Sequence, residues 1–150
     1  MADDWPHGWD SSWELAGKTS NTDYYVDDES VLLALPHRGS HDTGATAREN
    51  LVFQKAHFDA NDNPPIVAIF FDRLASQDRT ARKIYSDDPS LQWSLGFALI
   101  GGTMLSRAMG SFFLGLSRPQ APLKMFASLR SARSWIQGRQ QRHRAQRANR

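Results

Sequence analysis

Apolar residues in this chain gather into short blocks whose spacing alternates between unbroken runs and helical repeats. Residues 24–26 (YYV) and 31–35 (VLLAL) flank Asp27-Asp28-Glu29-Ser30, whose side chains favour a turn, so the two blocks predict a hairpin. Residues 66–71 (IVAIFF) form an uninterrupted β-branched and aromatic run, the pattern of a central strand covered on both faces. Residues 95–100 (LGFALI) form another, closed by Gly101-Gly102, and residues 123–126 (LKMF) a shorter one entered through Pro119 and Pro122.

Helical spacing fills the intervals. Thr46 and Glu49 have capping-box spacing ahead of a helix over residues 47–60, which NDNPP stops. Asp78 is placed to cap a second helix with Ala81, Ile84 and Tyr85 on its apolar side. Leu105, Met109, Phe112 and Leu116 repeat at i, i+4, i+7 and i+11, which leaves Ser106, Arg107 and Ser111 off the apolar stripe. Ser128 precedes a final helix marked by Leu129, Ala132, Trp135 and Ile136. The order β-β-α-β-α-β-α-β-α predicts an α/β domain with a mainly parallel central sheet, packed helices and right-handed crossovers. Residues 96–118 are the greasiest stretch, but a membrane helix needs roughly 20 consecutive apolar residues, and Arg107 and the glycine pair divide this one.

The ends differ from the middle. Residues 1–21 are acidic, polar and interrupted by Pro6, Gly8 and Gly17, which predicts a mobile extension. Trp5, Trp9 and Trp13, spaced by four, would line one side of a helix, but Pro6 and Gly8 oppose one; folding back on the domain is the expectation preferred to docking in a partner's groove. Residues 22–138 form the expected domain. Residues 139–150 have no apolar period and read as a basic tail, or as a helical extension without a core-facing side, carrying Arg139, Arg142, Arg144, Arg147 and Arg150.

Net charge is +2, yet all sixteen acids lie at or before Asp88 with eight basic residues, giving −8 there; ten basic residues and no acid follow. Such an asymmetry reads first as an acidic leader and a solvated basic tail, and second as ends that meet different partners; the arginine tail would then suit nucleic acid or another anionic surface, although it lacks an interleaved aromatic for base stacking. The chain has no cysteine, which removes disulfides, thiolate metal sites and a cysteine nucleophile. The acidic start lacks a basic and apolar leader, so cytoplasmic residence is expected.

Catalytic patterns are sparse. There is no Walker-type loop, and GGTMLSRAMG lacks dinucleotide-binding spacing. His37 and His41 with Asp42 have a metal-like spacing, but Pro36 and Gly39 place them on a loop without a nearby third ligand, so no metal and no cofactor is expected. Ser40, His41 and Asp42 are too close in sequence to make a triad among themselves. Asp72 and Asp78 flank a strand end, where α/β sheets commonly bind ligands, with Asp78 read first as a helix cap. A non-enzymatic domain is expected.

The segments FFDRLASQDRTARKIY, ALIGGTMLSRAMGSFFLGLSRPQAPLKMF and SLRSARSWI, together with the element order, resemble the STAS domain of bacterial anti-sigma-factor antagonists, and more closely uncharacterised bacterial STAS/SEC14-like proteins. The resemblance covers residues 24–136. It implies a single STAS-like regulatory module that binds another protein, a kinase or anti-sigma-type regulator, through the loop and helix start after the central strand. The matching residues are Asp72, Arg73, Ser76, Asp78, Arg79, Thr80 and Arg82. STAS antagonists carry a phosphorylated serine after an aspartate at this helix start. Here Asp78 is followed by Arg79, and Ser76 and Thr80 flank the position as phosphorylation candidates. The SEC14 side of the resemblance implies lipid or small-ligand binding, and a homodimer is compatible with the module.

Overall fold

The apolar runs become the middle of a six-stranded sheet. The computed structural model describes residues 5–61, 64–88, 94–104, 106–108 and 121–150. In chain order these give β1 (Glu14–Lys18), β2 (Thr22–Val26), β3 (Leu32–Pro36), β4 (Ser40–Asp42), α1 (Gly44–Asp59), β5 (Ile66–Phe70), a 3₁₀ turn (Phe71–Arg73), β6 (Leu74–Gln77), α2 (Arg79–Asp87), β7 (Gly96–Ile100), β8 (Leu123–Phe126) and α3 (Leu129–Ala148). The sheet runs β1-β2-β3-β5-β7-β8, antiparallel over its first three strands and parallel from β3 to β8. This is the mixed α/β single domain with a mainly parallel core that the pattern predicts.

Alternation along the central strands sends side chains to two layers. Leu32, Ala34, Val67, Phe97 and Leu99 face one cluster together with Phe58 of α1. Leu33, Leu35, Ile66, Ala68, Phe70, Ala98 and Ile100 face the other, closed by Leu129, Ala132 and Ile136 of α3. The predicted hairpin turn forms: the Asp27 carboxylate accepts from Glu29 N and Val31 N at 2.9 Å each and pairs with Arg133 of α3.

Several expectations are corrected. Residues 14–18 are not part of an extension; they form edge strand β1 on β2, because backbone pairing replaces the missing apolar alternation. The tryptophans, as expected, fold back on the domain; they lie on the α3 side of the sheet, partly buried. They sit on two successive turns, closed by Trp9 N to Pro6 O at 3.0 Å and Trp13 N to Asp10 O at 3.1 Å, which reproduce a four-residue spacing without a helix. Gly8, at φ +82°, supplies the left-handed residue of the first turn.

Helix α1 starts three residues before the predicted point. Thr43 is its cap, with reciprocal bonds to Thr46, while Glu49 instead accepts from Ser20 N at 3.1 Å and from the Ser20 hydroxyl. Of the two readings of residues 139–150 the helical extension holds, since α3 runs unbroken to Ala148; its start touches the domain, where Arg139 donates to Leu95 O at 3.2 Å and Gln140 to Glu29 O at 2.8 Å. The segment DRLASQD is not a plain loop but a 3₁₀ turn and β6, which pairs in parallel with β4 as a small second sheet. Of the predicted helix through Leu116, Met104 and residues 106–108 are helical, and Leu105, Met109, Phe112 and Leu116 lie outside the described residues. Ser106, expected off the packed face, is buried at 1% exposure because its hydroxyl donates to Asp72 at 2.7 Å.

Candidate functional site

On the α1 face, five elements bring polar side chains into an apolar layer. Tyr24 comes from β2, Asp42 from β4, Asn50 and Gln54 from α1, Gln77 from β6 and Tyr85 from α2. Asn50 and Gln54 lie on the same stripe of α1 as Ala47, Leu51 and Phe58, so the helix buries them whether or not they are apolar. Once buried they need partners. The Tyr24 hydroxyl donates to Asn50 Oδ1 at 2.9 Å and accepts from Gln54 Nε2 at 3.1 Å. Asn50 Nδ2 donates to Asn21 Oδ1 at 2.9 Å. The Asp42 carboxylate accepts from Thr46 Oγ1 at 2.6 Å, Gln77 Nε2 at 3.0 Å and the Tyr85 hydroxyl at 3.3 Å.

All of these groups except Thr46 line a pocket of about 80 Å³, to which Ile69, Phe71, Leu74, Phe97, Leu99 and Leu123 contribute apolar lining. That volume is several times what one water needs. Burial pushes the phenols of Tyr24 and Tyr85 above their ordinary value, and the negative charge of Asp42 adds to the effect, so both stay protonated hydrogen-bond donors. Two acceptors are left over: Gln54 Oε1 and Gln77 Oε1 are buried and have no donor among the described residues.

None of the site residues predicted from the sequence lines this pocket, and most of those over 72–82 already have structural work. Asp72 sits at the start of the helical segment after β7 and accepts from Gly102 N at 3.0 Å, Thr103 N at 3.1 Å and Ser106 Oγ at 2.7 Å. Partial burial opposes its ionisation, but these hydrogen bonds outweigh burial and hold its carboxyl below the ordinary value. Arg73 donates to Pro36 O at 2.6 Å, and Arg82 to Gln77 O at 3.1 Å. Asp78 caps α2 by accepting from Ala81 N at 2.7 Å. A Cβ on Gly44 would come within 2.7 Å of the Thr80 methyl, so glycine there lets the starts of α1 and α2 approach.

What the structure does bring together is Ser76 and His41. They stand on β6 and β4, 35 residues apart in sequence, and share a hydrogen bond of 2.6 Å between Oγ and Nδ1. His41, Arg79 and Thr80 are exposed next to it. The pair has the reach of a nucleophile and base, yet no carboxylate of the described residues bonds the imidazole to orient it. The histidines separate, since His37 bonds Asp23 at 2.9 Å. No group of three or more candidate metal ligands occurs among the described residues. Arg142, Arg144, Arg147 and Arg150 are exposed and spread around the end of α3 instead of lining one side. No helix of the described residues is long and apolar enough to cross a membrane.

The family described as a domain of unknown function, DUF7793, matches residues 30–140. The chain is also similar to a solved structure, an uncharacterized protein from the DUF3478 family with a SpoIIAA-like fold from Shewanella loihica PV-4. That likeness has 15% identity and a TM-score of 0.46, covering 83% of this chain and 92% of that one. No curated protein matches the sequence.

Proposed function

We propose, for a chain that belongs to the DUF7793 family, that it is a non-catalytic regulatory module whose partner protein docks along β4, β6 and the first turn of α2. The observation that carries this reading is the exposed Ser76–His41 bond. It sits on a two-stranded frame whose ladder is continued at its ends by Asp78 N to Asp42 O at 2.9 Å and Gly39 N to Arg73 O at 2.8 Å, and which is tied to β3 by Arg73 to Pro36 O at 2.6 Å and to α1 by Thr46 Oγ1 to Asp42 at 2.6 Å. A rigid edge presenting polar side chains suits recognition that must be specific and reversible.

The same geometry ranks the two phosphorylation candidates. A phosphate on Thr80 would stand beside the Asp78 carboxylate that already caps α2. A phosphate on Ser76 would stand beside the His41 imidazole instead of a carboxylate. Ser76 is therefore the preferred switch, and a kinase or anti-sigma-type regulator is the class of partner. Wild type, Ser76→Glu, Thr80→Glu and the distant control Asp59→Lys are compared for thermal stability and for the proteins each captures from the native cell. Ser76→Glu is expected to keep the melting temperature and lose a partner that wild type and Asp59→Lys retain. If Ser76→Glu and Thr80→Glu keep every partner while Asp59→Lys loses them, the surface lies elsewhere.

A further inference from the structure

We propose that the pocket on the α1 face binds a small molecule with an apolar body and an uncharged or cationic head that donates N–H or O–H bonds to Gln54 and Gln77. Two groups more than nine-tenths buried, at 4% and 7% exposure, each keep a carbonyl oxygen without a donor in a pocket that both residues line. Such acceptors are costly to leave unmade, so their persistence calls for a reason. Turning the amides does not remove the problem. Gln77 Nε2 donates to the Asp42 carboxylate at 3.0 Å, and a flip would press carbonyl oxygen against that anion. Gln54 Nε2 donates to Tyr24, whose own proton goes to Asn50, so a flipped Gln54 would face an oxygen with no proton to give.

The surrounding charge selects the head. Asp42 is held by three neutral donors, Thr46, Gln77 and Tyr85, and no cation pairs with it among the described residues. The polar lining is thus rich in acceptors and negative, which favours an alcohol, amide or amine and rejects a carboxylate or phosphate. The apolar lining, with Phe71, Leu74, Phe97 and Leu99, suits an aromatic or compact aliphatic body.

The test is a titration of the full chain, followed by backbone and side-chain amide NMR, with benzyl alcohol, benzylamine and benzoate. The three probes share a ring and differ in the head. The alcohol and the amine are expected to shift the Gln54 and Gln77 side-chain signals saturably, and benzoate to leave them in place. Gln54→Leu should weaken both donor probes by about tenfold, the worth of one hydrogen bond. Should that variant fail to fold, the three-probe comparison on wild type still decides. No saturable shift with either donor probe, equal binding of benzoate, or undiminished binding by a folded Gln54→Leu would each overturn the assignment.

Discussion

Under α3, Leu33, Ala68 and Ala98 of the central strands meet Leu129, Ala132 and Ile136 directly. Across the same strands, Val67, Phe97 and Leu99 share their layer with a hydrogen-bonded mesh centred on Asn50. Of the nine buried polar residues among the described ones, Asn21, Thr22, Asp42, Asn50, Gln54 and Gln77 all line the pocket on that second side. The contrast separates two tasks within one sheet. Apolar burial is non-directional and sums with area, so the α3 face can carry stability with little specificity of geometry. The α1 face gains order from directional bonds that must be complete, and the places where they are incomplete mark what the fold has left available.

The contrast predicts unequal responses to substitution. Ile136→Ala, at a fully buried site of the apolar face, should cost about 3 to 4 kcal/mol through lost transfer energy and a residual cavity. A loss below about 1 kcal/mol in denaturant unfolding would mean that this face relaxes freely and is no better packed than the other. Asn50→Ala should cost less, about 2 kcal/mol, by stranding Tyr24, Thr19 and Asn21. A change within about 0.5 kcal/mol would show the mesh to be rebuilt by water and the two faces to differ only in appearance.

The smallest expected effect is on pH dependence, and it belongs to the α1 face. Tyr24 and Tyr85 are raised above 10.0 in the folded chain by burial. Folding therefore favours the neutral phenols: their contribution is fully present below the unfolded value near 10.0 and is lost as pH climbs past it toward the folded values. Melting temperature should fall along this alkaline limb, and Tyr24→Phe with Tyr85→Phe should flatten it. An unchanged limb in the double variant would assign the titration to other groups.

How much of this was legible in the sequence follows the same divide. The strands 31–35, 66–71 and 95–100 announce themselves because burial on both faces demands continuous apolar runs, 24–26 and 123–126 as shorter apolar blocks beside turn residues or prolines, and Asp78 and Ser128 because a cap needs a short polar side chain at one position. Strands β1, β4 and β6 have no such signature. ELAGK, SHD and LASQ are short and partly polar, and only pairing with a distant strand makes them extended. That is why Ser76 and His41 meet without warning. The mesh was hidden for another reason: a search for apolar spacing skips Asn50 and Gln54. Their positions three and seven residues after Ala47 would have placed them on the buried stripe had α1 been read by angle alone.

The three tryptophans of the N-terminal turns have an optical consequence. Trp5 stacks on Trp9 at 4.9 Å with 16° between the rings, and Trp13 meets Trp9 nearly edge-on at 5.0 Å. Indole transition dipoles at such separations couple, so the near-ultraviolet dichroism of this segment reports its geometry rather than its composition. Trp9 also abuts Phe70 at 5.8 Å and Tyr25 at 5.1 Å, which ties that coupling to contact with the sheet. If the turns lift away, the exciton signal collapses while the helical far-ultraviolet spectrum persists. The molecule thereby carries a native chromophore that distinguishes a seated N-terminal layer from a released one without any label.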